Sequence, residues 1–578
     1  MNTLKKFGIY ILLILLSLPT IFPIFNEGFF TMHDDTQIVR VQQMYQAITD
    51  GQFPVRWVAD LGYGYGYPLF NFYGPLPYYF GALCIFLGAS LLVATKIMFV
   101  VGILGAVITM FLLAQRIWGT FPAIIVSILY QYAPYHAVDI YVRGAVSEFW
   151  AIAILPLVFL GIVLVEKEKI DKKRNYAALF SHFLLISISF AALIVTHNIT
   201  ALITSVFLGI GILSVVICTG IAYVVGHILA KSVFIKLGLI CGALLFGLGL
   251  SAFFWIPAFS ENSYTNVQSV IGAGADYHDH FVYLEQLWDS PWGFGGSAQG
   301  KADGMSFKAG KIHIVLPVFS LILLVWQFLT NSANRRLIVY TICIVITTLF
   351  AIFMSTSYSQ PVWDSVPLFA FIQYPWRFLV FIILGLSLGA GGLFTLKRDI
   401  FVILLSSLLL ITILYVNIKY FVPQQHIVLN ESVYISNQYT RWWVSRISDE
   451  YMPKGFKKPI TITDIVQEKI VFEPEVNVVG SVIKTDRYHV TYNSLTDSVA
   501  HINLAFFPGW MVYIDGNNHP YSILDDGIEV MIPAGIHTIQ VKRLDTPLER
   551  AANYISLFCL VAIFGTMMGL KYVHVKKI

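Results

Sequence analysis

The chain has 578 residues, 57% of them hydrophobic and only 12% charged, and its mean hydropathy is +0.72. Soluble globular proteins carry roughly 25% charged residues, so this composition excludes a large soluble protein and specifies a polytopic membrane protein. The formal net charge is only +4, with Lys and Arg gathered in short runs, which argues for topology signals and against a nucleic-acid-binding surface.

The chain opens with MNTLKKFGIYILLILLSLPTIFPIF. A basic start, an apolar run of bilayer length and the lack of a small-residue cleavage site read as an uncleaved first transmembrane helix, not a signal peptide. Hydropathy then gives about a dozen spans, near 7–25, 97–114, 120–138, 146–165, 177–196, 199–218, 234–257, 311–329, 337–354, 375–394, 400–418 and 551–571. Basic residues cluster at Lys5–Lys6, in EKEKIDKKRN (Glu166–Asn175), and at Arg335–Arg336, Lys397–Arg398 and Lys576–Lys577. The positive-inside rule puts these in the cytoplasm, together with both termini. The segment GPLPYYFGALCIFLGASLL (Gly74–Leu92) is apolar enough to span, but counting it would reverse the sides of the later basic runs. It is expected to be an interfacial or re-entrant helix, introduced by Pro68, Pro75 and Pro77.

This divides the chain into a transmembrane part, 1–418, with external loops at 26–75 and 258–310, then an external segment, 419–550, and a last helix with a basic tail, 551–578. From about residue 470 the pattern changes. RYHVTYN, HINLAFF, WMVYIDG, IEVMIPAG and HTIQVKRL alternate polar and apolar residues, with turn signals in DGNNHP and PAGIH. A small antiparallel β-sandwich outside the membrane is expected there. The five cysteines are scattered singly and form no CxxC pair, so neither a disulfide framework nor a zinc site is expected.

Charge is scarce, so its placement is informative. Ionisable residues collect at the outer ends of spans, whereas the midspan sequence that transporters use is nearly free of charge. In HDDTQIVRVQQMYQAITDGQFPVRW, the apolar residues Ile38, Val41, Met44, Tyr45 and Ile48 follow helical spacing, giving an amphipathic helix on the outer surface. Asp34 or Asp35 suits its N-cap, which explains one aspartate but not a pair beside His33. A paired acid also suits a general base, or hard-oxygen ligation of a divalent cation such as Mg or Mn. In YAPYHAVDIYVRGAVSEFW, Arg143 and Glu148 lie at the mouth of a span, either as a mutual ion pair or with Arg143 binding a phosphate. His136 lies in the same stretch, and His197 in THNIT at another outer turn. Tyr374 and Arg377 open a later span in QYPWRFL, where aromatics suit the interface and Arg377 offers a second phosphate ligand. Arg40, Arg56 and Tyr73 complete the candidate substrate-binding set, Tyr73 within the Tyr/Gly-rich tract Gly62–Phe80. No P-loop, HExxH, GxSxG or GxGxxG before a helix occurs.

Taken together, HDDTQIVRV, GQFPVRW, GYGYPLFNFYGPLPYY, YVRGAVSEFWAIAILPL, THNITAL, QYPWRFL and FFPGWMVYIDG with IPAGIHTIQV give a chain that resembles the GT-C superfamily of integral-membrane glycosyltransferases. Its closest likeness is to the bacterial membrane proteins labelled 6-pyruvoyl-tetrahydropterin-synthase-related, a historical label that implies no pterin chemistry, and to a neighbouring family with a C-terminal external β-domain. The resemblance implies a catalytic acid in the first external loop, here Asp34 or Asp35, and helices lying along the membrane surface. It also implies a polyprenyl-phosphate sugar donor and inversion at the anomeric carbon. HDD is not the DxD spacing of some branches. The expected function is transfer of a sugar from such a donor, among membrane lipids, to a cell-envelope polymer or glycolipid on the outer face. The alternatives are a lipid or polysaccharide transporter and a non-catalytic assembly factor.

Overall fold

A computed structural model describes residues 3–169, 176–224, 231–267, 275–330, 334–395 and 400–575. Ten helices in it are long and apolar enough to cross a membrane: Leu91–Trp118, Val146–Lys167, Tyr176–Thr196, Asn198–Thr219, Lys231–Leu250, Lys311–Leu329, Arg336–Ser355, Pro375–Thr395, Val402–Tyr420 and Pro547–Met568. Two expected spans differ. The first helix, Thr3–Ser17, continues only as 3-10 turns to Phe25, and the helix Thr120–Gln131 stops after 12 residues. Pro134 and a wide helical turn at Val138–Arg143 take over from it. The doubtful segment forms a helix over Leu76–Phe86. Its 11 residues rise about 17 Å, well short of a ~30 Å hydrocarbon core. It packs across Gln37–Thr49, with Gly81 against Val41. Of the basic runs, residues 170–175, Lys397–Arg398 and Lys576–Lys577 lie outside the described residues.

The C-terminal strands are β3 (Ile470–Glu473), β4 (Asn477–Ile483), β5 (Arg487–Ser494), β6 (Ser498–Ile502), β7 (Trp510–Ile514), β8 (Asn517–Asn518), β9 (Ser522–Leu524), β10 (Gly527–Ile532) and β11 (Gly535–Arg543). They follow a short ladder between β1 (Phe29–Phe30) and β2 (His426–Ile427). Two sheets result, ordered β3-β6-β10-β9 and β4-β5-β11-β7-β8. Burial alternates along β5, β6 and β7, as a pleat with one dry face requires. Both sheets feed one core, with Ile502 and Val530 from one and Tyr488, Trp510 and Val541 from the other. This is the expected β-sandwich. Asp515 and Gly516 both take positive φ in the two-residue turn between β7 and β8, which fits the strand twist.

The sandwich also seats on the first loop. Trp57 meets Trp510 edge-on at 5.1 Å, and Gln52 Nε2 donates to Thr485 Oγ1 at 2.8 Å. Trp57 and Phe72 thereby join the sandwich core.

Candidate active site

The first loop reaches the membrane helices through main-chain bonds. The His33 N–H donates to the Val142 carbonyl at 2.9 Å, and the Asp34 N–H to the Arg143 carbonyl at 2.8 Å. Gly144 turns the chain there with φ +65°, and a Cβ at that position would collide with Met32. Gln37 Nε2 then donates to the Gly144 carbonyl at 2.8 Å. At the other wall, Gly74 lies so close to the Thr196 carbonyl that no Cβ fits, which brings Tyr73 beside His197.

These contacts enclose a cavity of about 270 Å³ at the ends of the helices that begin at Val146, Asn198 and Pro375. Eight of the residues singled out from sequence line it: Asp34, Arg40, Tyr73, Arg143, Glu148, His197, Tyr374 and Arg377. The remaining four do not. His33 is largely exposed and bonds Asp34 Oδ1 through Nδ1 at 3.1 Å. Asp35 lines a different space. His136 is fully buried, bonds the Gln131 carbonyl and packs near Phe421. Arg56 is buried in a separate network. Its Nη1 donates to Asn71 Oδ1 at 2.6 Å and its Nη2 to Asn553 Oδ1 at 2.9 Å, and Glu549 and Asp545 lie within 4 Å of Nε. His136 and Arg56 are thus each bound to partners away from the cavity. Arg56 resembled a ligand in sequence because Asn553 and Glu549 are distant in the chain.

Neither aspartate caps the helix Gln37–Thr49. Its N-cap is Thr36, without a side-chain cap bond. The Asp34 carboxylate is 37% exposed, opening into the cavity. Burial alone would raise its pKa. The hydrogen bond from His33 and the charges of Arg143, His33 and Arg40 outweigh that effect and hold it below the ordinary carboxylate value. Asp34 is therefore an anion at neutral pH. Burial pushes Asp35 up to about 6, against the pull of a long 3.5 Å hydrogen bond from Tyr439.

The three guanidinium groups differ in their partners. Arg143 Nη1 donates to Glu148 Oε2 at 2.7 Å and pairs with Asp139, while its planar face covers Trp376 at 4.5 Å. Tyr135 donates to the other Glu148 oxygen at 2.7 Å. The ion pair foreseen at this helix mouth is real, and its charge is already matched. Arg40 donates to Ser448 Oγ at 2.7 Å, lies 4.0 Å from Glu450 and stacks over Tyr73 at 4.1 Å. Arg377 is different. Its Nη1 donates to the Ile372 carbonyl at 2.6 Å and to Gln373 Oε1 at 3.1 Å, and its Nε is buried without a partner. Among the described residues it has no carboxylate within ion-pair distance. Gln373, beside it, takes φ +66°, a conformation that costs a non-glycine residue on the order of 1–3 kcal/mol.

Glu450 and Tyr451 also line the cavity, and the sequence pattern did not single them out. They lie in SDEYMPKG, where a second adjacent acid pair, Asp449–Glu450, was the available signal. A divalent cation shared by Asp34 and Asp35 does not fit, because the two side chains line different spaces. Among the described residues no group of three or more His, Cys, Asp or Glu is arranged to hold a metal ion.

Several known proteins are similar to this chain. A Lactococcus lactis protein described only as uncharacterized is 24% identical over 295 residues, which is 49% of this chain and 45% of the relative. The chain thus matches less than half of that relative's length. Among solved structures, the Archaeoglobus fulgidus oligosaccharyltransferase has TM-score 0.46 at 12% identity, covering 81% of this chain and 62% of its own. The mycobacterial arabinofuranosyltransferase AftD has TM-score 0.43 at 13% identity, covering 72% of this chain and 28% of its own. ArnT from Cupriavidus metallidurans, bound to undecaprenyl phosphate, has TM-score 0.42 at 12% identity, covering 76% and 69%. Residues 70–272, about a third of the chain and the part that carries Arg143, Glu148 and His197, match the family described as the 6-pyruvoyl-tetrahydropterin synthase related domain, a family of membrane proteins.

Proposed function

We propose that the protein is a glycosyltransferase that moves a sugar from a polyprenyl-phosphate donor to a cell-envelope acceptor on the outer face of the membrane. The observation that carries this reading is the pairing of Asp34, an ionised carboxylate, with Arg377, a guanidinium lacking a carboxylate partner, in one cavity at the helix ends. A base and an unmatched cation suit a reaction in which one oxygen loses a proton while another departs as an anion.

In the proposed step Asp34 takes the proton of the acceptor hydroxyl. That oxygen bonds to the anomeric carbon from the face opposite the phosphate. The bond from that carbon to the phosphate oxygen breaks, and the lipid phosphate leaves with the electron pair. Attack opposite the leaving group inverts the centre. Arg377 meets the departing phosphate with its free N–H groups. Arg143 contributes less directly, because Glu148 and Asp139 already balance it. It holds the wall formed by Trp376 and, through its carbonyl, the backbone of Asp34. The apolar tail lies among the helices, and the β-sandwich, seated on the first loop, stands on the cavity side of the bundle. That side is taken as extracytoplasmic because Arg336 and Glu166 pair at the opposite end of the helices.

The test is native mass spectrometry of the full-length protein in nanodiscs with undecaprenyl phosphate as the probe. Wild type retains the probe and Arg377→Gln loses most of it. Equal retention by both would remove Arg377 from the donor site.

A further inference from the structure

We propose that the groove beside Asp35 binds the acceptor as a neutral saccharide chain, with Trp443 and Tyr439 as its stacking platform. The inference rests on Asp34 being the base, and it names the acceptor class that this base serves. The groove encloses about 530 Å³ and is lined by Asp35, Tyr439, Trp443, Val444, Arg446 and Ile447. That size lies within the ordinary range of small-molecule sites.

Three features point to a sugar. The first is composition. Trp443 is 51% exposed, beside one carboxylate and one guanidinium. A large aromatic face flanked by hydrogen-bonding groups matches a ring with apolar C–H faces and a hydroxyl rim. A carboxylate in the wall disfavours an anionic polymer, and the opposed charges of Asp35 and Arg446 favour a neutral one. The second is continuity. Ile447 lines both this groove and the cavity of Asp34. Asp34 and Asp35 are consecutive, so their Cα atoms are about 3.8 Å apart. A chain resting on Trp443 would pass the shared wall at Ile447 toward the cavity of Asp34. The third is rigidity. The wide turn Gln438–Val444 is held by Ser445, whose Oγ donates to the Thr440 carbonyl at 3.1 Å and accepts from the Tyr63 N–H at 3.0 Å. Tyr439 packs edge-on against Tyr434 at 5.3 Å. A binding platform fixed before its ligand arrives loses less entropy on binding.

The experiment uses the full chain in nanodiscs against immobilised neutral, amino-substituted and anionic oligosaccharides, with unglycosylated peptides in parallel. Wild type and Asp34→Asn should retain neutral oligosaccharides alike. Trp443→Ala should bind about tenfold more weakly, and Trp443→Phe, which keeps a ring, should restore most of the retention. Retention of peptides alone, of no saccharide by wild type, or equal retention by Trp443→Ala overturns the proposal, as does equal loss in Trp443→Ala and Trp443→Phe. Loss of transfer in Asp34→Asn with no saccharide retained by wild type would sink the groove and leave the base standing. Full transfer by Asp34→Asn with saccharide retention intact would do the reverse.

Discussion

The backbone N–H of Asp34 donates to the carbonyl of Arg143 at 2.8 Å. The bond ties the acid of the first loop to the helix mouth more than a hundred residues later. It belongs to the main chain, so it survives changes to either side chain. The side chains of Asp34 and Arg143 can thus be altered while the link between their segments persists.

Asp34→Asn is therefore expected to leave the fold intact and remove the base. Transfer should fall by about 10²–10⁴-fold, the usual contribution of a general base. Product formation in purified membranes, with a melting curve on the same sample, checks this. An unfolded variant, or one with wild-type turnover, contradicts it.

Arg377 and Arg143 should separate activity from stability. Arg377 is held by a carbonyl, an amide and the aromatic faces of Tyr374 and Trp376, with no carboxylate among the described residues, so Arg377→Gln is expected to lower transfer by about 10²–10³-fold, as loss of an electrostatic donor does. Its melting temperature should barely move. Arg143→Ala leaves Asp139 and Glu148 buried without their cation, at a cost of about 3–5 kcal/mol. Denaturation of both variants in the same detergent checks the contrast. Equal destabilisation would show that the fold depends on Arg377 to the same degree as on Arg143.

Asp35 gives a pH dependence with a definite sign. Its carboxyl titrates near 6 in the folded protein against 3.8 as the reference. Between those values the folded state keeps a proton that the unfolded chain has lost, so stability falls as pH rises through the window and stays lower above it. Asp35→Asn should gain on the order of 1–2 kcal/mol over wild type at pH 8, after allowance for solvent screening, and nothing at pH 3. Unfolding at both pH values tests it. A gain independent of pH points to packing.

Arg56 should act on stability alone. Its partners Asn71, Asn553 and Glu549 join the first loop to the last helix, and Arg543 of β11 also pairs with Glu549. Arg56→Ala is expected to cost about 3–5 kcal/mol and to loosen the sandwich from the helices. Hydrogen exchange in β7 and β11 measures that loosening. Normal protection with lost donor binding would make Arg56 a substrate ligand after all.

Several features were legible in the sequence for physical reasons. Charge in an apolar chain is costly, so the few charged residues at helix ends marked the cavity, and eight of the twelve singled out line it. The period-two pattern after residue 470 foretold the sandwich because its two sheets share one dry core. Other features were not legible. The helices that end at Ser17 and Gln131 are followed by Pro19 and Pro134, which a hydropathy window does not weigh, so two expected spans proved short. Arg56 looked like a ligand because its partners Asn553 and Glu549 are far along the chain, and His136 because its burial against the Gln131 carbonyl is not encoded in spacing. Glu450 carries no signal of its place beside Arg40, because only the folded chain brings the two together. The divergence of Asp34 and Asp35 depends on the turn at Thr36, and one-dimensional spacing does not encode it.

The central claim is that Asp34 serves a sugar transfer fed by a lipid phosphate. The most direct test is mass spectrometry of envelope polymers and lipid-linked sugars from cells lacking this chain, complemented with wild type or with Asp34→Asn. Wild type should restore a glycosyl unit, and Asp34→Asn should leave it missing while the lipid-linked precursor accumulates. Restoration of the same unit by Asp34→Asn, or identical glycans and lipids in all three strains, would contradict it.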